Sequence, residues 1–493
     1  MATTYYVSTT GSDSASGTLD RPFASIERAD ALAGPGDTIL VRGGVYTLSS
    51  DVDLRSDGTS GNPITIRSYP GEHAILDGSR LPQGEHVVDM QDASWNHIVG
   101  LEIRGGPEGG LIMRGDSHDN VIEQLDVHHN GGGSEWDGKG ISLYGSGGNN
   151  LLLNNDSHDN RDLHGDNADG FQISSTGAGN VLRGNRAWGN SDDGFDLFNV
   201  QNGTQAGAVR LEGNWAFDNG FDAAGNPLGD GNGFKLGGQR PGTGSGSGGH
   251  TVIGNEAWGN HGSGFDENAA TAPSKLESNT AHDNGSYNFG FWDQDNTFQG
   301  NVSYGSGRLA ASGSSSGNSW DSGAAAVTPA SLTDAQAHAA RGSDGSLPGT
   351  SSGTAPVTVT VDPSPKSVEP VTPGNTVTGT SGDDVLFGSK GADLIRGGRG
   401  NDVLHGAGGN DVLVGGRGAD TFVFGLADTD TSTMRDFKPG TDHIHLADGL
   451  TLASATPLDL NGDGKVDTAL ALSNGGGVHV MGVSAANPWD WLA

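Results

Sequence analysis

The sequence predicts an all-β chain made of two repeat units: a parallel β-helix solenoid, then a linker, then a C-terminal parallel β-roll. Three observations carry that expectation. The 493 residues include 86 Gly and few aromatics, with no long run of helix formers, the profile of many short strands joined by many turns. The phrase Asn-x-Ala-x-x-Asn recurs in mid-chain, as "NRAWGN" from Asn185, "NWAFDN" from Asn214, "NEAWGN" from Asn255 and "NTAHDN" from Asn279. A second repeat, nine residues long, runs from Gly379 as "GTSGDDVLF", "GSKGADLIR", "GGRGNDVLH", "GAGGNDVLV" and "GGRGADTFV".

The first hundred residues read as strands. Runs such as "TYYVSTTG", "GDTILVRGGVYT", "NPITIRSYPG" and "WNHIVGLEIRG" alternate with period two and are bounded by Gly, Pro or Asn. "PFASIERADALAGPGD" is the one convincing early helix, stopped by Gly and Pro, and it could cap the open end of a strand stack. Looser copies of the Asn phrase, "NDSHDN" from Asn155 and "NVSYGS" from Asn301, extend the series, with starts 30, 29, 41, 24 and 22 residues apart. Repeats of that size indicate a solenoid. The longer intervals mark insertions on one face. Stacked Asn side chains can form hydrogen-bond ladders along such a stack. The pattern predicts a β-helix unit over 1–348, with helix character in "TPASLTDAQAHAAR". A Ser/Pro/Thr-rich linker over 349–374 precedes the nine-residue repeats and a terminal region over 375–493.

The nonapeptides place Asp384, Asp393, Asp402, Asp411 and Asp420 on one register. In G-G-x-G-x-D-x-U-x repeats the turns bind calcium and the U residues fill a core. Further on, "DLNGDGKVD" puts Asp459, Asn461, Asp463 and Asp467 at the spacing of a calcium loop. Leu470 stands where a bidentate Glu belongs, so this is a calcium-capable turn and not an EF-hand.

Composition also excludes. A net charge of -34 rules out a nucleic-acid binder, which needs Lys and Arg clusters. The absence of Cys removes disulfides, thiolate metal sites and a Cys nucleophile. The N-terminus has no basic and apolar leader pattern, and no segment has the roughly 18–20 apolar residues of a membrane span.

Two solenoid stretches carry unusual charge. "HGDNADGFQI" holds Asp166 and Asp169, and "NSDDGFDLF" holds Asp192, Asp193 and Asp196. In both, Asp-Gly-Phe starts an alternating run, so Asp169 and Asp193 are expected about 4.8 Å apart on adjacent coils. Carboxylates that close repel, and a calcium ion relieves the penalty by accepting six to eight oxygens. A solvated Asp-rich turn is the plainer alternative. The solenoid contains three lysines, Lys139, Lys235 and Lys275, and Lys235 lies in "DGNGFKLGG", in the same apparent register. Beside bound calcium its pKa is expected to fall, which suits a general base; neutralising an acidic face is the alternative.

The order Asp…Asp-Asp-Gly-Phe-Asp…Gly-Phe-Lys, together with "YYVSTTGSDSASGTLDRPFASIERA", "GDTILVRGGVY" and "ARGSDGSLP", resembles the family 9 polysaccharide lyases (pectate lyases) over residues 3–348. The nonapeptides, with "MRDFKPGTDHIHL", resemble RTX modules. The resemblance implies a right-handed β-helix. Its calcium ligands would be Asp169, Asp192, Asp193 and Asp196, with Asp166 the rival to Asp169, and Lys235 would abstract the proton. It also implies a secreted, monomeric enzyme exported by type I secretion machinery, with calcium as cofactor and an acidic polysaccharide, polygalacturonate, as substrate. β-Elimination would leave 4,5-unsaturated oligogalacturonides. Arg161, Arg183, Arg210 and Arg240 are candidates for holding uronate carboxylates. A lyase or epimerase for another uronan such as alginate, or a non-catalytic carbohydrate binder, are the competing readings.

Overall fold

The computed structural model describes residues 2–493 except 136, 202, 240–245, 322–333, 342–344, 346, 349–374, 380–383, 389–390, 407–408, 425–429, 447–451, 459–465, 473–475, 484–490 and 492–493. Two compact units result, Met1–Ala340 with Gly345–Gly349, and Arg341–Asp344 with Thr350–Ala493. Among the described residues no helix is long and apolar enough to cross a membrane.

The first unit is a β-helix with three parallel walls. One wall runs from Thr4–Val7 through strands such as Leu151–Leu153, Val181–Arg183 and Arg210–Glu212. A second stacks Asp156–His158, Arg186–Trp188, Trp215–Phe217 and Glu256–Trp258. The third stacks Ile141–Gly145, Phe171–Ser175, Phe195–Asp196, Phe234–Lys235 and Phe265–Asp266. Parallel pairing follows from the coil itself: each strand meets the strand one full turn later, not the next in sequence. The early helix is short, Ile26–Asp30, capped by Ser25 Oγ, which accepts the Arg28 N–H at 3.2 Å. Ile26 and Ala29 bury into the core.

The recurring Asn phrase has a physical explanation in two turns per coil. The residue before each Asn takes a left-handed conformation, as at Asn154, Gly184 and Gly213 on one corner, where Gly and Asn are tolerated best. The Asn then points inward. Asn155, Asn185, Asn214, Asn255, Asn279, Asn301 and Asn318 form one file, each Nδ2 donating to the next Oδ1 at 2.8–3.0 Å. A second file runs Asn130, Asn160, Asn190, Asn219, Asn260 and Asn284. All are buried. Between them Phe171, Phe195, Phe234, Phe265 and Phe289 stack at 4.7–5.0 Å with planes within 10°.

The described end of "TPASLTDAQAHAAR" forms a helix over Asp334–Ala337, and Arg186 Nη1 donates to the Ala337 and Ala339 carbonyls at 2.8 Å each.

The second unit is a β-roll. Asp393–Arg399, Val412–Arg417 and Thr431–Met434 pair in one parallel sheet, and Val403–His405, Thr421–Phe424 and His443–Leu446 in another. Ile395, Leu404, Leu413 and Phe422, two residues beyond each Asp, fill the core. The nine-residue register splits in space. Two nonapeptides make one coil, so Asp384, Asp402 and Asp420 form one file and Asp393 and Asp411 another, each Asp N–H donating to Oδ1 eighteen residues on at 2.9–3.0 Å. Beyond the repeats, Leu452–Leu458 and Asp467–Leu472 add an antiparallel pair. Asp459, Asn461 and Asp463 lie outside the described residues. Asp467 is buried, and its Oδ1 accepts the Gly482 N–H at 2.6 Å.

Candidate active site

Two outward files meet on the third wall. The residue before each coil's Gly forms one: Lys139, Asp169, Asp193, Asn232 and Ser263 precede Gly140, Gly170, Gly194, Gly233 and Gly264, and their carbonyls accept the preceding coil's Gly N–H, as Gly140 to Asp169 and Gly170 to Asp193. The second file is set by strand register: Ser142 pairs with Gln172, Gln172 with Asp196, Asp196 with Lys235 and Lys235 with Asp266. Period-two alternation sends Phe171, Phe195 and Phe234 inward and Gln172, Asp196 and Lys235 outward. A hollow of about 610 Å³ opens over these files, lined by Lys139, Asp169, Gln172, Asp192, Asp196 and Lys235 among others.

Asp169, Asp193 and Asp196 are buried and each offers a carboxylate oxygen within 4.8 Å of the others. Asp169 Oδ1 accepts the Asp193 N–H at 3.1 Å. Asp193 Oδ1 accepts from Asn232 N and Nδ2 at 2.6 and 3.0 Å. Asp196 takes Gln172 Nε2 on Oδ2 at 2.8 Å and the Phe198 N–H on Oδ1 at 2.7 Å. Asp192 groups instead with Asp193 and Asp230, its Oδ1 accepting the Asp230 N–H at 2.6 Å. Asp166 is exposed and bonded to Asn167; Asp169 is the member of "GDNADG" that joins the buried group.

Burial is the largest influence on Asp169, Asp192 and Asp193, and repulsion from neighbouring carboxylates adds to it. Asp169 and Asp192 are held well above the usual range, and Asp193 is pushed up to about 6 despite Lys235 beside it. Lys235 Nζ lies 3.0 Å from Asp193 Oδ2 and 3.0 Å from Asp230 Oδ2. Burial alone would lower the ammonium, but Asp193, Asp196, Asp192 and Asp230 outweigh it and the net shift is upward. That balance is the one set by the carboxylates that face Nζ directly; the expected fall of the lysine pKa belongs to Lys235 beside bound calcium, whose charge would offset theirs.

Hard oxygen donors this close suit calcium, whose Ca–O distances of about 2.3–2.6 Å let one ion span them. Asp169, Asp193 and Asp196 fit that role, with Asp192 one residue away. In the roll, a Cβ at Gly397, Gly406 or Gly415 would collide with Oδ2 of Asp402, Asp411 or Asp420. Each Gly thus leaves a cradle against a buried carboxylate oxygen, and Asp420 Oδ2 has no hydrogen-bond partner among the described residues.

None of the described arginine candidates lines this hollow. Arg183 and Arg210 pair with Glu212, Arg161 lines a separate hollow with Phe221 and Asp222, and Arg240 lies outside the described residues. Lys139, Asp137 and Asp230 do line it, and the sequence reading left them out. A signal existed for Lys139: "GKGI" places Lys before Gly-apolar as "DGF" places Asp169 and Asp193.

Such a structure defines a class, a right-handed parallel β-helix protein with a cation-competent acidic groove and lysines in its wall. Comparison with known proteins narrows it. The family described as "Pel9A-like, right handed beta helix region" matches residues 5–301, and the RTX calcium-binding nonapeptide repeat matches 374–404 and 387–422. A pectate lyase PEL9 of Emericella nidulans is 35% identical over 65% of this chain and 84% of its own length. A pectate lyase L of Dickeya chrysanthemi is 32% identical over 70% of this chain and 82% of its own. Among solved structures, pectate lyase Pel9A aligns with TM-score 0.60 at 30% identity, covering 71% of this chain and 88% of that one. A rhamnogalacturonan lyase aligns with TM-score 0.61 at 26% identity, covering 70% and 95%. The chain belongs to the Pel9A-like β-helix family: it is a family 9 polysaccharide lyase with C-terminal RTX repeats.

Proposed function

We propose that this enzyme is a secreted, calcium-dependent pectate lyase that cleaves polygalacturonate by β-elimination. The observation that carries this reading is the placement of Lys235 in the same outward file as Asp196, with its ammonium 3.0 Å from buried Asp193. Asp169, Asp192, Asp193 and Asp196 would hold calcium, which supplies charge neutralisation and Lewis-acid polarisation of the substrate's C6 carboxylate. Lys235 acts in its neutral form, having given its own proton to solvent: it takes the C5 proton, the C4–O4 bond breaks, C4=C5 forms, and the departing O4 picks up a proton from solvent. No water attacks carbon, so the new non-reducing end is a 4,5-unsaturated uronide. Asn232 and Gln172 hold Asp193 and Asp196 in place for that reaction.

Residues 1–348 would be the catalytic unit, 349–374 a linker and 375–493 the RTX unit. Asp384, Asp393, Asp402, Asp411 and Asp420 would bind calcium outside the cell, so that the unit gains stability there by binding-linked folding. That logic fits export by type I secretion machinery in a low-calcium state. The rhamnogalacturonan lyase among the structural neighbours supports a second reading, with rhamnogalacturonan as the polymer cleaved.

Incubation with polygalacturonate, rhamnogalacturonan and alginate, with calcium or with chelator, tests the proposal through the ultraviolet absorbance of the unsaturated product. Calcium-dependent signal on polygalacturonate is expected. Signal confined to another polymer moves the substrate, and chelator-resistant activity overturns the calcium assignment.

A further inference from the structure

Just before the acid group the solenoid holds three buried polar atoms with no hydrogen-bond partner among the described residues, Asp137 Oδ1, His86 Nε2 and Ser142 Oγ, together with the buried Lys139, which is ion-paired to Asp137. Three of these residues, His86, Asp137 and Lys139, adjoin one another. His86 Nε2 is 3.9 Å from Asp137 Oδ2, Lys139 Nζ is 3.5 Å from Asp137 Oδ1, and the same Nζ is 4.0 Å from Asp169 Oδ2. Ile141 and Leu143 point into the core, so Ser142 faces outward between them, in the file that continues to Gln172. Lys139 and Asp137 line the same hollow as Lys235.

Such a group of orphans is costly. Each buried polar atom without a partner forfeits about 1–3 kcal/mol, and folded proteins retain few of them. The Lys139 side chain is only 5% exposed, and its ammonium makes only long ion pairs, to Asp137 at 3.5 Å and Asp169 at 4.0 Å, which leave it donors to spare. An ammonium with free donors, beside one acceptor and two groups able to donate or accept, complements a sugar ring that carries a carboxylate and hydroxyls.

We propose that Lys139, with Asp137, His86 and Ser142, forms a second uronate subsite that anchors a carboxylate of the polysaccharide away from the reacting unit. Lys139 lies one coil before Asp169, and Lys235 lies two coils beyond it. Their backbone positions are thus about 14 Å apart along the axis at 4.8 Å per coil, and each ammonium leans toward the acids between them. They bracket the acids, and an anionic chain laid along the groove meets a cation at each end of the metal-competent stretch. The subsite accounts for how a protein of net charge -34 can grip a polyanion without Arg183 and Arg210, which pair with Glu212.

The inference rests on the lyase reading, and two measurements separate them. The first compares Lys139→Met with the unaltered enzyme on polygalacturonate at saturating calcium. KM is expected to rise roughly 10- to 100-fold, the value of a charge-assisted hydrogen bond, while kcat falls less than about threefold. The second measures calorimetric binding of an oligogalacturonate to Lys235→Ala with and without Lys139→Met, where affinity is expected to fall by a similar factor and Lys139→Arg to restore most of it. Unchanged KM and unchanged affinity overturn the subsite. A defect that vanishes when calcium is raised also overturns it, because Lys139 would then serve only as a counter-charge to Asp169. If Lys139→Met fails to fold, Ser142→Ala and His86→Gln decide, and full affinity in both overturns the proposal. Absence of turnover in the unaltered enzyme, with Lys139-dependent binding intact, sinks the reaction and leaves the subsite standing.

Discussion

The Asn file Asn160–Asn190–Asn219 and the Asp pair Asp169–Asp193 occupy the same coils a few residues apart, and they solve burial in opposite ways. An amide both donates and accepts, so each Asn satisfies the next through Nδ2 and Oδ1 at 2.9–3.0 Å, and lengthening the file creates no charge. A carboxylate only accepts. Asp169 takes the Asp193 N–H and Asp193 needs Asn232 and Lys235 from outside its own file, while burial first and repulsion from Asp196 next raise both pKa values. A polar column of amides is therefore self-sufficient, whereas a column of acids calls for a cation. The roll shows the same economy of placement, with an Asp file next to glycines that leave room.

Removing the cation that the acid column already holds is the severest way to break this contrast. Lys235→Ala is expected to lower turnover about 10³-fold, within the range of a lost general base, with the thermal midpoint little changed. Activity within tenfold of the unaltered enzyme would sink the assignment. Asp193→Asn converts the acid column toward the amide kind. Turnover should fall on the order of 10²-fold, as when an electrostatic contact at a developing charge is lost. In chelator at neutral pH the same variant should gain on the order of 1–3 kcal/mol, because the burial and the repulsion from Asp196 that outweigh Lys235 at Asp193 are gone while Lys235 keeps Asp230; denaturant unfolding measures it, and a loss of stability would contradict the account.

Breaking the amide column should do the reverse. Asn190→Ala deprives Asn160 and Asn219 of partners at once and is expected to cost about 2–4 kcal/mol, without altering the substrate or metal preference of the molecules that remain folded. The smallest effect belongs to a third column, where His158 stacks on Trp188 at 4.1 Å and its charge is met from outside by Asp126 and Asp159. Burial would lower the His158 pKa, but those hydrogen bonds raise it to about 9. A folded pKa above the unfolded 6.5 gives stability that is full below pH 6.5 and lost as pH rises through about 9. Both acids are half exposed, so screening leaves about 1–2 kcal/mol. The gap between the unaltered protein and His158→Gln should close over that window, and a gap independent of pH would refute the ion pair.

Much of the fold was legible because its repeats are local. Asn185, Asn214 and Asn255 each follow a left-handed residue and a short apolar strand, so one coil's sequence announces the next. The core positions Ile395, Leu404 and Leu413 follow their Asp at a constant offset for the same reason. The site was legible only in part. Asp169, Asp193 and Lys235 shared the mark of a following or preceding Gly-Phe, but Asp230 sits in an insertion with no such mark, and Lys139 stands before Gly-Ile, where Phe is missing. The four arginines looked free in sequence; Glu212 claimed two of them, Arg183 across the pairing of Val181–Arg183 with Arg210–Glu212 and Arg210 two residues along its own strand.

The sequence by itself determined the coil: short β strands, turn residues with left-handed freedom, inward Asn and Phe, and the nonapeptide with its Asp register, all set by contacts within one repeat. Tertiary structure alone decided which side chains share the groove. Asp169 and Asp193 are 24 residues apart, Asp193 and Asn232 are 39 apart, and both pairs are direct neighbours, because insertions lengthen the chain between coils without changing the spacing of the stack. Sequence distance thus loses its meaning along the axis, and strand register is what places Lys139, the acids and Lys235 on one wall.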